Sequence, residues 1–162
     1  MLKWAIGAGV VAAALVGLFP LFVPGGTHCG VGVPVKLSSA KQLATGMVIY
    51  QSDFDDRMAP TDWRPAILPY VKNPGLFENH GSEQSYIFAQ RASLSGVDTA
   101  KILKPEGVAM LFDVAESSSP FVAELDAIAY RATSRDSERK ATIAFLDTRV
   151  RSLLPTETKA IR

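Results

Sequence analysis

Residues 38–56 read SSAKQLATGMVIYQSDFDD, and the fold turns on how this stretch is read. Ala40, Leu43, Ala44, Met47, Val48, Gln51 and Phe54 recur at helical spacing, Ser38 or Ser39 can cap the start, and Asp53-Phe54-Asp55-Asp56 closes the run. The spacing predicts one amphipathic helix of about four to five turns, whose apolar face needs a partner surface.

Downstream, residues 57–83 are rich in Pro, Asp, Asn and Gly. They read as a loop with one short helix near Arg64–Val71, anchored by Trp63, Ile67, Leu68, Tyr70, Leu76 and Phe77. Strands are expected at Ser85–Ala89, Val108–Phe112, Phe121–Tyr130, Thr142–Leu146 and Arg149–Leu153, each an apolar or alternating run bounded by turn residues. A helix followed by mostly adjacent strands implies an α+β domain, a helix packed on a small antiparallel sheet.

Upstream, Pro24–Pro34 holds four glycines and two prolines without a charge and reads as a linker. Before it, the twenty residues Trp4–Val23 carry no charge; as a helix they would span roughly 30 Å, the thickness of a bilayer's hydrocarbon core. Lys3 and this apolar run also fit a secretory signal, but Phe19-Pro20-Leu21-Phe22-Val23-Pro24 offers no small-x-small cleavage site, so an uncleaved anchor is expected over a removed signal. The organisation is therefore a transmembrane anchor (1–23), a Gly/Pro linker (24–36) and an α+β domain (37–162). Lys3 and the amino terminus, set against Lys36 and Lys41, favour the domain outside the cytoplasm. Ala5, Gly9, Ala13 and Gly17 recur every four residues, a small-residue stripe that either lets two membrane helices approach closely or reflects the abundance of Ala and Gly in such helices.

Composition excludes more than it assigns. Seventeen basic against sixteen acidic residues give a net charge of +1, so no bulk field points to nucleic acid. The last 32 residues hold eight Lys or Arg against four Asp or Glu, a bias that solvated surface explains as well as a basic binding face. Cys29 is the single cysteine, which rules out an internal disulfide and leaves an intermolecular one between two copies. His28 beside Cys29 could begin a zinc half-site, but only His80 remains as a second imidazole. Asp53, Asp55 and Asp56, with Asp62 nearby, supply the carboxylates a Ca²⁺ site would use, yet there is no Asp-x-Asp-x-Asp-Gly loop and a solvated helix end accounts for them better. No Gly-x-Ser-x-Gly elbow and no paired His motif occurs, and Gly7-Ala8-Gly9 lacks the Lys and the strand context of a phosphate loop. Neither catalysis nor a small-molecule substrate is expected.

A set of short matches adds a family likeness. They are Leu18-Phe19-Pro20-Leu21-Phe22, Lys41-Gln42-Leu43, Tyr50-Gln51-Ser52-Asp53-Phe54-Asp55, Trp63 and Leu68-Pro69-Tyr70-Val71-Lys72-Asn73. Further along come Ser85-Tyr86, Leu94-Ser95-Gly96, Pro105-Glu106, Leu111-Phe112-Asp113 and Ala144-Phe145-Leu146-Asp147. In order and spacing the chain resembles bacterial pilin-like proteins related to type IV pilins and type II secretion pseudopilins, in the branch with a C-terminal His-x9-Asp-Gly signature. The resemblance implies a long N-terminal helix, half in membrane or filament core and half on an antiparallel sheet. It also implies a bacterial inner-membrane subunit, with the bilayer and other pilin-like subunits as partners, that can reach a cell-surface filament. The chain departs from the pattern in three places. Met1–Val23 holds no acidic residue where the resembling proteins carry a glutamate after their leader; Pro24–Pro34 interrupts the helix; and Ser137 and Thr148 replace the signature His and Gly. These departures keep open a second expectation, a tethered extracytoplasmic binding module that forms no filament.

Overall fold

Helix α1 runs from Val33 to Asp53 and lies on a sheet built by the C-terminal half of the chain. The structure is a computed structural model, and it describes residues 33–80, 85–115, 121–133 and 136–161. Gly32–Arg162 form one compact unit. The proposed anchor, its stripe Ala5, Gly9, Ala13 and Gly17, and Cys29 lie outside the described residues. Among the described residues no helix is long and apolar enough to cross a membrane.

The α+β expectation holds: a helix packs on a largely antiparallel sheet. α1 begins at Val33, inside residues 24–36 that the glycines and prolines marked as linker. A proline in the first helical turn removes only an N–H that has no intrahelical partner, so Pro34 is compatible with the helix. Ser39 is accordingly not a cap but a buried side chain, its Oγ 2.9 Å from the Tyr86 hydroxyl. Ala40, Leu43, Ala44 and Met47 are fully buried as the spacing predicts, whereas Phe54 lies past the helix end and is half exposed. α2 (Trp63–Val71) packs beside α1.

Among the described residues seven strands follow: β1 (Glu78–Asn79), β2 (Tyr86–Arg91), β3 (Ala109–Asp113), β4 (Val122–Ala123), β5 (Arg131–Thr133), β6 (Asp136–Phe145) and β7 (Val150–Leu153). Their order is β1-β2-β3-β6-β5, with β7 paired to β6 and β4 to β2. All pairs are antiparallel except β2 with β4. A short helix α3 (Pro155–Thr158) follows β7.

The central strands are covered on both faces, which is why they read as continuous apolar runs rather than strict alternation. Tyr86, Phe88, Met110 and Ala144 meet α1 and α2. Ile87, Ala89, Phe112, Ile143 and Phe145 form a second core, against which Phe121, Leu125, Tyr130 and Ile161 pack. That second cover corrects the expected strand at Phe121–Tyr130. Its alternating pattern belongs to a segment crossing the sheet's outer face, with only Val122 and Ala123 in β4 and a 3-10 turn at Leu125–Ala127. Trp63 Nε1–H donates to the Phe121 carbonyl at 2.8 Å, and the Arg64 guanidinium carbon lies 3.2 Å from the Phe121 ring centroid, so α2 grips the start of this segment.

Candidate functional site

The first turn of α1 carries a cluster of buried charge. The lysine ammonium of Lys36 contacts Asp113 Oδ2 at the end of β3, and Arg131 Nε from β5 lies 3.5 Å from the same oxygen. Asp113 Oδ1 accepts the Ile87 N–H at 3.2 Å, and its side chain is fully buried. Arg131 also donates to Ser85 Oγ at 2.7 Å and to the Val114 carbonyl at 2.9 Å. Burial dominates the titration of both partners. It pulls Lys36 below the usual lysine range, which Asp113 opposes and Arg131 reinforces. It lifts Asp113 above the usual carboxylate range, against Lys36, Arg131 and the Ile87 N–H. Breaking such a pair by removing one partner leaves an uncompensated buried charge, so the cluster seats the start of α1 on the sheet.

Two further contacts fix the helix. Lys41 Nζ donates to the carbonyl and to Oγ1 of Thr148 at 2.7 and 2.8 Å, holding the β6–β7 turn in which Thr148 has φ 63°. Tyr70 of α2 donates to Asp53 Oδ2 at 3.0 Å at the other end. What remains of α1 is an outward face of Ser38, Gln42, Thr45, Ile49 and Ser52, all exposed and none charged. Beside its first two turns a shallow cleft of ≈ 500 Å³ is lined by Val35, Ser38, Gln42, Asn73, Asn79 and Tyr86 among others, without a charged side chain.

The candidate Ca²⁺ ligands are not gathered. Asp53 is bonded to Tyr70, while Asp55 and Asp56 follow in left-handed conformations, φ 52° and 56°, that end the helix. The Asp56 carbonyl receives the N–H and the hydroxyl of Thr99 at 2.8 and 2.7 Å, so this segment closes a turn. Among the described residues no three His, Cys, Asp or Glu side chains are placed to hold a metal ion. The chain contains two Ser-x-x-Lys spacings, Ser38 to Lys41 and Ser137 to Lys140. Neither makes a nucleophile and base: Lys41 is spent on Thr148, and residues three apart on strand β6 face opposite sides. The residues that sequence reasoning missed are Lys36 and Arg131, whose partner Asp113 is 77 positions from Lys36 and has no local motif to betray it.

Comparison with known proteins found no matching family model, no similar curated protein and no similar solved structure.

Proposed function

We propose that the chain is a membrane-anchored, pilin-like structural subunit of a type IV pilus or type II secretion type assembly, with residues 4–23 in the bacterial inner membrane and the α+β domain outside the cytoplasm. The observation that carries this reading is the outward face of α1: five exposed positions over four turns with no charge, flanked by the exposed Lys41 and Asp53, on a helix separated from the apolar segment by residues 24–32. A solvated helix face ordinarily carries charged residues, and an uncharged one can be covered by a neighbouring helix at little desolvation cost. The function is assembly, carried by helix packing rather than chemistry.

The test is gentle shearing of native cells, followed by detection of the domain with an antibody in the sedimentable filament fraction or in membranes. Recovery in filaments supports a working subunit. Retention in membranes supports the second reading, a tethered extracytoplasmic binding module. The lack of any carboxylate in Met1–Val23 favours that second reading, because a carboxylate within a bilayer is costly and is retained where it serves a function.

A further inference from the structure

Lys36 and Asp113 are placed for a reaction as well as for an ion pair. Joining an amine to a carboxylic acid needs the two in contact, the amine unprotonated and the acid protonated, a donor for the oxygen that gains charge, and a site closed to water. Lys36 Nζ touches Asp113 Oδ2. Burial, the largest influence on each, favours the uncharged amine and the uncharged acid, and Arg131 adds to the pressure on the Lys36 proton while opposing protonation of Asp113. The Ile87 N–H already points at Oδ1, the oxygen that would carry negative charge as the nitrogen adds. The Asp113 side chain is wholly inaccessible and that of Lys36 only 13% exposed, so bulk water is kept from the product.

We propose that Lys36 and Asp113 condense in the folded protein to an isopeptide cross-link between α1 and β3. The Lys36 nitrogen adds to Asp113 Cγ, and the Cγ–Oδ2 bond breaks. Oδ2 leaves as water, carrying the carboxyl proton and one proton from Nζ. No electrons are transferred and no other reactant enters. Oδ1 becomes the amide oxygen and keeps the Ile87 N–H. Arg131 keeps Ser85 and the carbonyls of Val114 and Ala115 as partners. The product replaces the Lys36–Asp113 ion pair by a hydrogen-bonded amide, which removes the desolvation cost of those two charges and leaves Arg131 without its carboxylate partner.

Peptide mapping of the full chain by mass spectrometry tests the proposal. The expected result is a branched peptide joining the Lys36 and Asp113 segments, one water molecule lighter than their sum, with trypsin unable to cleave after Lys36. K36R, which keeps a cation against Asp113 but offers no amine, should yield the two segments as separate peptides of full mass. Wild-type peptides that are unlinked, with cleavage after Lys36, would overturn the proposal; so would a water loss that persists in K36R.

Discussion

Gly46 of α1 faces α2: a Cβ at this position would lie 2.4 Å from Val71 Cγ1. Ala in place of Gly in a helix interior gains about 1 kcal/mol in propensity, while overpacking costs about 1–3 kcal/mol. Valine has one strongly preferred rotamer in a helix and cannot swing clear, so the clash wins. G46A should lower stability by roughly 1 kcal/mol in urea unfolding, against the gain expected at an open helical glycine. Asp98 offers a test by titration. Lys101 Nζ, 2.9 Å from its Oδ2, holds the carboxyl below the ordinary aspartate range, helped by the Ala100 N–H. A depressed folded value means this contribution to stability is complete above the ordinary aspartate value and disappears as pH falls through the depressed one. In an NMR titration K101A should move the Asp98 midpoint upward; an unmoved midpoint would assign the depression to the Ala100 N–H and to Arg57 instead.

Helix α1 was legible because its core positions keep a 3.6-residue period, and β2 and β3 because runs of buried apolar residues fall between turn residues. Its start was not legible, since Gly and Pro punctuation outweighed the fact that a proline costs nothing in a first turn. The first half of β6 was missed for a different reason: Ser137 to Arg139 are exposed, so the strand carries no apolar pattern there. β1 is too short to leave any pattern. The cluster at Lys36 could not be read at all, because its members come from three elements joined only by the fold. At this scale the assembly reading makes two claims. I49K changes an exposed side chain, so stability should stay within about 0.5 kcal/mol while filament recovery falls. Leu at both Gly9 and Gly17 should abolish oligomers if the small-residue stripe is a contact; unchanged assembly would leave that stripe without a role.

At the scale of the whole molecule, association can be read without knowing the partner. If Cys29 joins two copies, a non-reducing gel of native membranes should hold a dimer that C29S lacks, and a gel with monomer alone removes that link. The distribution of strand lengths bears on what kind of association is available. The strands at the margins, β1, β4, β5 and β7, have two, two, three and four residues, whereas β6 has ten and is flanked by β3 and β7 over its second half, its first half pairing with β5. Exposed rows of unpaired backbone groups invite stray strands, and edges this short give such a template little length to work with. Copies brought close together are therefore poorly equipped to stick to each other through these marginal strands. Strand addition has little to start from there, and what those margins leave for specific contact is side chains.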